Sequence, residues 1–290
     1  MSTIAELMDI LAEKDGINNT NIEGVKIFKA SSSQPRQPLC YGKGIIIVGQ
    51  GSKKVYLDNT VYEYNPDNYL VLSVPIPAEC ETIVDGKPLL SLFIDMDIRI
   101  LNKIISGMEI PLVNPKETHK GLFLAKTTED IKDTTKRLLK TLLSKEESDI
   151  LGEGIVYELL YRVVCGENAK PLYALAMQNT NISRVDKALK EIHSNYNNPI
   201  DVSVLAGLVN MSTSSFHRAF KDVTASSPIQ YLKKIRLDRA RELLVSKNFR
   251  VNEAANEVGY ESSTQFSREF KRYFGNSPVE YRETLKTRHF

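Results

Sequence analysis

Tryptophan is absent from this sequence of 290 residues, and histidine and cysteine are scarce, with four and three copies. Cys40, Cys80 and Cys165 lie far apart and form no CxxC or metal-ligand spacing, which fits a reducing compartment rather than a disulfide framework. The first histidine is His119, so the segment before it lacks the group of histidines and a carboxylate that a metal-dependent enzyme needs. These absences predict no catalytic residue, no bound metal and no cofactor.

Long apolar runs are also missing. No stretch is long enough to span a bilayer, and the N-terminus has no basic segment followed by an uninterrupted apolar core. We therefore expect a cytoplasmic protein that makes no membrane contact. The chain is longer than one typical domain and has enough apolar residues to bury a core, so two domains are the default expectation.

Charge is distributed unevenly along the chain. Residues 184–290 carry 18 Lys and Arg against 12 Asp and Glu, a net charge of +6, whereas the residues before them carry 20 against 24, a net charge of −4. We expect a polyanion to bind the basic half, although a surplus of this size is also compatible with a merely soluble surface.

The first third of the chain has the pattern of short strands and turns. In the stretch GIIIVGQGSKKVYLDNTVYEYNPDNYLVLSV, β-branched and aromatic runs are separated by turn signals such as GQGSK and NPDN. Val55 and Leu57 alternate with polar or tyrosyl neighbours before an Asp–Asn turn, as a hairpin requires. The pattern predicts a small antiparallel sandwich or barrel over residues 20–95.

Helical periodicity begins near Asp97 and dominates the rest of the chain. Capping-box spacing predicts helix starts at Thr127, with Asp130, and at Ser183, with Asp186. The helix that follows Thr127 is at least as suited to pack on its own domain as on a second subunit.

Two similar segments lie in the last third: FHRAFKDVTASSPIQY begins at Phe216, and FSREFKRYFGNSPVEY begins at Phe266. Each follows an alanine, a turn residue that tolerates a left-handed backbone (Asn210 or Gly259), and a serine able to cap a new helix. This order is what a helix-turn-helix unit needs. The segment PIQYLKKIRLDRARELLVSK between them predicts a long helix that holds the two units at a constant spacing.

The second helix of each unit has a predicted polar outer face, because its two phenylalanines, four residues apart, must point to the core. Hydroxyls, one amide and cations occupy that face, and these groups suit base edges and phosphates. Solvated side chains are the usual alternative, but the duplication favours DNA contacts; for His217 a base contact, a phosphate contact and mere exposure all stay open. The predicted DNA-binding residues are Ser212, Ser214, Ser215, His217, Arg218 and Lys221 in the first unit and Ser262, Ser263, Thr264, Gln265, Ser267, Arg268 and Lys271 in the second.

Residues 184–290 resemble the DNA-binding domain of the AraC/XylS family of bacterial transcription regulators, which has two helix-turn-helix units joined by a long helix. The resemblance is strongest in the stretch NEVGYESSTQFSREFKRYFGNSPVEYR. The chain departs from the family pattern at Asn210, where glycine is usual, and at Ser214, where a larger residue is common. By position, the family's base-reading residues fall on Ser214, His217, Arg218, Ser263, Thr264, Ser267 and Arg268.

Upstream, LCYGKGIIIVGQGSKKVYLDNTVYEYNPDNYLVLSVPIPAECE resembles the cupin-like sensor domain of one branch of this family. The resemblance implies an α+β protein of two domains. A cupin-like antiparallel β-barrel would occupy residues 1–115, a helical extension with a possible dimer contact and linker 116–178, and an all-α DNA-binding domain 179–290.

The resemblance further implies a transcription regulator that binds double-stranded promoter or operator DNA as a homodimer, acts with RNA polymerase as an activator, and responds to a small molecule in the barrel. The candidate effector-binding residues are Arg36, Tyr41, Lys43 and Tyr56. Two alternatives remain open: control by a protein partner, and control by the redox state of Cys40 and Cys80, although isolated cysteines are more often inert packing residues.

Overall fold

A computed structural model describes residues 2–109, 114–115, 117–247 and 249–287. It begins with helix α1 (Ile4–Leu11) and continues as an antiparallel β domain, followed by helices. The strands are β1 (Gly16–Asn19), β2 (Val25–Ala30), β3 (Gln34–Tyr41), β4 (Gly44–Gln50), β5 (Ser52–Leu57), β6 (Thr60–Tyr64), β7 (Asn68–Leu72), β8 (Ile76–Ile83), β9 (Leu89–Asp95) and β10 (Leu122–Lys126). The predicted boundary between residues 115 and 116 involves Lys116, which lies outside the described residues.

The strands form two antiparallel sheets. One has the order β1-β2-β9-β4-β7-β10, and the other has the order β3-β8-β5-β6. Alternate residues of β5, namely Lys53, Val55 and Leu57, are buried. The Nζ of Lys53 lies 4.8 Å from the ring centroid of Phe28 on β2, so the inner faces of the two sheets meet in a common core.

The predicted hairpin is confirmed, because Leu57 of β5 pairs with Thr60 of β6 and Asp58 takes a left-handed φ of 54° in the turn. Strand β10, which pairs with β7 across a long loop, was not predicted from the sequence. Without a repeated alternation or a flanking hairpin turn, such a five-residue strand has little local signature.

Five helices connect the β domain to the helix-turn-helix units: α2 (Ile98–Ser106), α3 (Glu129–Thr141), α4 (Lys145–Val164), α5 (Lys170–Ala176) and α6 (Asn181–Ser194). Both predicted capping boxes were wrong. Thr128 caps α3, and Thr180 caps α6 by accepting a hydrogen bond from the backbone N–H of Ser183. The earlier start of α6 buries Ile182, and it places Asp186 inside the helix as a buried carboxylate.

The C-terminal region consists of α7 (Val202–Leu208), α8 (Thr213–Thr224), α9 (Pro228–Ser246), α10 (Val251–Glu257), α11 (Ser263–Phe274) and α12 (Pro278–Thr287). The buried residues of α7, α8 and the first half of α9 belong to the same core as the β domain. The second half of α9 packs with α10 and α11 in a separate core. Among the described helices, none could span a membrane.

Candidate DNA-binding surface

Helix α8 is the second helix of the first helix-turn-helix unit. Asn210 provides the left-handed turn residue, with a φ of 53°, and Ser212 caps the helix by accepting from the backbone N–H of Ser215 at 3.3 Å. Phe216 and Phe220 are fully buried, and Phe220 meets the ring of Tyr231 edge-on at 5.5 Å between centroids. The predicted turn, cap and core face are therefore confirmed.

Helix α11 repeats this arrangement in the second unit. Gly259 has a φ of +83°, and Ser262 accepts from the backbone N–H of Gln265 at 3.2 Å. Phe266 and Phe270 are fully buried. The cap follows the turn residue by three positions here and by two in the first unit, so the two units reach the same helix start through turns of different length.

The predicted outer face of α8 is exposed along its whole length. At its N-terminus the hydroxyls bond to one another, since Ser212 Oγ lies 2.9 Å from Ser215 Oγ and 3.3 Å from Ser214 Oγ. His217, Arg218 and Lys221 follow along the same exposed face.

On α11 the structure brings five predicted residues together in one groove of about 610 Å³. The groove is lined by Ser263, Thr264, Ser267, Arg268 and Lys271, together with Val251, Asn252 and Ser277. Sequence reasoning missed these last three residues, each of which lies at or beside the N-terminus of α10 or α12.

Two predicted residues of α11 are less available than the pattern implied. Gln265 is exposed, but its Nε2 donates to Glu269 Oε1 at 3.3 Å, and it lies outside the groove. Ser267 is half-buried, and its Oγ donates to the carbonyl of Ser263 at 2.8 Å. To contact DNA, the Ser267 hydroxyl must therefore give up the hydrogen bond that it makes to the backbone of its own helix.

The cations on both outer faces form no ion pairs with the residues that the structure describes. Within the described part of the chain, no ion pair joins Arg218, Lys221, Arg268 or Lys271 to a carboxylate. In the same region Lys233 pairs with Glu269 at 3.2 Å, whereas other exposed cations such as Arg272 also form no ion pair with a described residue. The outer faces of α8 and α11 therefore carry positive charge that can attract phosphate.

The spacing of the two units depends on Arg236 in the middle of α9. Its Nε donates to the carbonyl of Tyr196 at 2.7 Å, its Nη1 to that of Gly259 at 3.0 Å and its Nη2 to that of Asn198 at 3.0 Å. One guanidinium thereby ties the turn of the second unit to the loop between α6 and α7. The sequence pattern alone had predicted a long helix here but had not singled out this arginine.

The four candidate effector residues do not converge. Arg36 stacks on the ring of Tyr56, with its Cζ 4.2 Å from the centroid, and pairs with Glu79 on the outer face of the four-stranded sheet. The Nζ of Lys43 lies 3.7 Å from Asp186 on α6. Of the four, Tyr41 alone lies in the interior, so these residues do not form one ligand site.

Tyr41 is accompanied in the interior by two residues that were not among the predicted effector contacts. Its hydroxyl lies 3.5 Å from that of Tyr64, and its ring centroid lies 5.7 Å from the Nζ of Lys53. Burial lowers the pKa of Lys53. No carboxylate of the described residues forms an ion pair with Lys53. The period-two alternation of β5 was the available signal that Lys53 points inward.

Comparisons with known proteins agree with this geometry. The family model described as AraC-type transcriptional regulator N-terminus matches residues 21–171, and the one described as a helix-turn-helix domain matches residues 205–284. The Msm operon regulatory protein of Streptococcus mutans is 31% identical over 140 residues, which are 48% of this chain and 49% of that protein. The lactose operon transcription activator of Staphylococcus xylosus is 29% identical over 164 residues, or 56% and 58% of the two chains. The chain thus spans about half the length of the curated relatives it matches.

Among solved structures, ToxT from Vibrio cholerae with a bound unsaturated fatty acid matches 89% of this chain and 93% of its own, with a TM-score of 0.60 at 12% identity, which shows a common fold. The N-terminal family model alone covers more than half of the chain, and the helix-turn-helix model falls on the two units described above. Members of this family are regulators rather than enzymes. The chain belongs to the AraC family of DNA-binding transcriptional regulators.

Proposed function

We propose that this protein activates transcription by binding specific double-stranded promoter DNA through α8 and α11, in response to a small molecule held in its N-terminal barrel. One observation carries the DNA-binding part. Arg218 and Arg268 occupy equivalent positions on two exposed helix faces, 50 residues apart in the sequence, and neither has an acidic partner among the described residues.

In this proposal each unit enters the major groove with its second helix. Arg218 and Arg268 donate two hydrogen bonds to guanine, the serine and threonine hydroxyls contact nearby base edges or phosphates, and Lys221 and Lys271 contact phosphates. The DNA-facing sequences differ, with SSFHR in one helix and STQFSR in the other. One chain therefore recognises an asymmetric sequence.

The buried Lys53, which forms no ion pair with a described residue, supports control by a small molecule in the barrel. A buried ammonium without a counterion is costly, and a ligand that supplies an acceptor would stabilise its charged form. The fatty acid bound to ToxT supports ligand control, and the name of the Staphylococcus xylosus relative supports activation. Activation would require contact with RNA polymerase.

The proposal includes a homodimer. Leu143, Ile150 and Leu151, at the turn between α3 and α4 and on α4, are 50%, 71% and 50% exposed. A second subunit would cover these apolar side chains.

Redox control is less well supported. Burial, with a smaller contribution from the charge of Asp238, raises the pKa of the Cys40 thiol to about 12. The reactive thiolate is therefore disfavoured at neutral pH.

The substitution Arg268→Ala tests the DNA-binding proposal. We expect it to weaken binding to the preferred site by about 1–3 kcal/mol, because a contact with guanine is lost, while random DNA is affected much less. The measurement is fluorescence anisotropy with labelled duplexes at one salt concentration. The charge-matched control is Lys145→Ala, an exposed position at the start of α4, which should leave the ratio of specific to random affinity unchanged. An unchanged ratio for Arg268→Ala would remove Arg268 from the base-reading residues.

A further inference from the structure

A cavity lies beside residues Thr118–Gly121, which we name the strap. It has a volume of about 580 Å³, and the lining includes Tyr62, His119, Lys120, Phe123, Lys170 and Pro171. None of these residues is used by the proposed function.

The strap connects the six-stranded sheet to helix α8. The carbonyl of Gly121 accepts from the backbone N–H and the hydroxyl of Ser73 at 2.8 and 3.0 Å, and the N–H of Gly121 donates to the carbonyl of Val223 in the last turn of α8 at 2.9 Å. A Cβ on Gly121 would lie 2.4 Å from Val74 Cγ2 and 3.0 Å from that carbonyl. The strap thus touches the DNA-reading helix directly, with no room for a larger residue.

His119 is the unusual residue of this cavity. It is 7% exposed, and no described residue forms a hydrogen bond with its Nε2. Burial, together with a smaller effect of Lys170, lowers the pKa of His119 against the opposing effect of Glu117. A buried ring nitrogen without a partner costs free energy unless a ligand or water satisfies it.

Two lysines supply cationic donors to this cavity. The Nζ of Lys120 reaches Thr60 Oγ1 at 3.3 Å and Tyr62 Oη at 3.4 Å but has no ion pair within the described chain, and the Nζ of Lys170 is 3.9 Å from Glu117. The lining also includes the apolar residues Leu122, Phe123, Leu124 and Pro171 and the polar residues Thr118 and Asn168, of which Asn168 donates through its Nδ2 to the carbonyl of Leu124 at 3.1 Å. Two cationic donors beside apolar side chains suit an anion with an apolar body.

We propose that this cavity binds an organic carboxylate, with the carboxylate at His119 and Lys120 and the apolar body against Phe123 and Pro171. This site is separate from Lys53. Binding of a carboxylate here does not depend on whether the protein regulates transcription as proposed. A regulatory effect does rest on the proposed function, and it would pass through the hydrogen bond from Gly121 to Val223.

The test uses the full chain with octanoate and phenylacetate as probes, measured by calorimetry and by the NMR signals of the histidine rings. With four histidines in the chain, the His119 signals can be assigned by comparison with His119→Gln. We expect saturable binding of at least one probe and a shift of the His119 signals. Lys120→Met should weaken binding by about tenfold or more, since a hydrogen bond from a charged group is lost. The control Lys126→Met, an exposed position at the end of β10 outside the cavity, should bind as the wild type does.

Three outcomes would overturn the site: no saturable binding of either probe, equal affinity of Lys120→Met and wild type, or loss of binding only in Lys53→Met, which would assign the carboxylate to the barrel. Binding at His119 that leaves DNA affinity unchanged would support the site and count against regulation through the strap. The DNA-binding proposal is tested separately, because DNA binding by Arg268→Ala is measured without an added carboxylate probe.

Discussion

Gly259 and Asn210 hold equivalent turn positions with similar left-handed backbones, yet they face different steric demands. A Cβ at Gly259 would lie 2.3 Å from the carbonyl oxygen of Asn197 and 2.9 Å from its carbon, so the second turn needs glycine for close approach as well as for its φ of +83°. The first turn needs only a residue that tolerates a left-handed backbone, which asparagine does.

A pair of glycine substitutions separates these two effects. Gly275, at the end of α11, has a φ of +85°, and a Cβ there would meet no atom within 4 Å. We expect Gly275→Ala to lower the free energy of unfolding by about 1 kcal/mol from backbone strain alone. Gly259→Ala should lower it by more than about 2 kcal/mol, because the clash forces Asn197 or the turn to move. Urea denaturation gives both values, and equal losses would contradict the close contact.

At the scale of elements, α9 does more than separate the two units. Its first half is buried in the core shared with the β domain, and its second half in the core of the second unit. Arg236 lies between the two halves and satisfies three backbone carbonyls at once. One helix and one guanidinium therefore contribute to the relative position of α8 and α11, and α11 also contacts β3 of the β domain.

We expect Arg236→Met to lower the free energy of unfolding by about 2–4 kcal/mol, because three carbonyl groups lose a charged donor. The control is Arg239→Met on the same helix, where the guanidinium pairs with Glu242 at 3.1 Å near the surface, and the expected change is within about 0.5 kcal/mol. Urea denaturation measures both. If Arg236→Met lowered the free energy of unfolding no more than Arg239→Met does, the guanidinium would not hold the second unit in place.

At the scale of the whole molecule, a partly buried chain of hydrogen bonds joins the β domain to the first unit. Tyr231 Oη donates to the carbonyl of Pro75 at 3.0 Å, so the His193 Nε2, 2.8 Å away, is the donor to Tyr231. Burial, assisted by the charge of Arg239, lowers the pKa of His193 to about 4. The neutral ring is therefore part of the contact between the domains.

This contact predicts a loss of stability in acid. The pKa of His193 is lower in the folded state than the value of about 6.5 expected in the unfolded chain, so the unfolded state binds more protons between these values. The contribution of His193 is complete above about pH 6.5 and is lost as the pH falls toward about 4, by at most about 3 kcal/mol.

Comparing wild type with His193→Gln isolates this effect. Glutamine can still donate to Tyr231 but does not titrate, so its stability should fall less between pH 7 and pH 4.5 than that of the wild type. Thermal denaturation in a pH series measures the difference. Parallel pH curves for the two proteins would show that His193 is not held neutral.

The features predicted well are those with a local physical cause. The turn residues, the caps Ser212 and Ser262, and the buried phenylalanine pairs all follow from spacings of a few residues, and the duplication supplied a second instance of each. The helix starts at Thr127 and Ser183 were mispredicted because a neighbouring threonine could cap as well, and the better start was the one that packed apolar residues such as Ile182. The strand β10 was missed because it is defined by its pairing with β7.

The sequence by itself determined that two helix-turn-helix units follow a β-rich domain, and which faces of α8 and α11 are polar, because helical period and turn chemistry act over a few residues. Only the tertiary structure decided that Lys43 faces Asp186, that Lys53 forms no ion pair with a described carboxylate, that Arg236 bonds to the turn of the second unit, and that Gly121 of the strap bonds to Val223 of α8. Those contacts join residues far apart in the chain, and packing selects them after the local elements have formed.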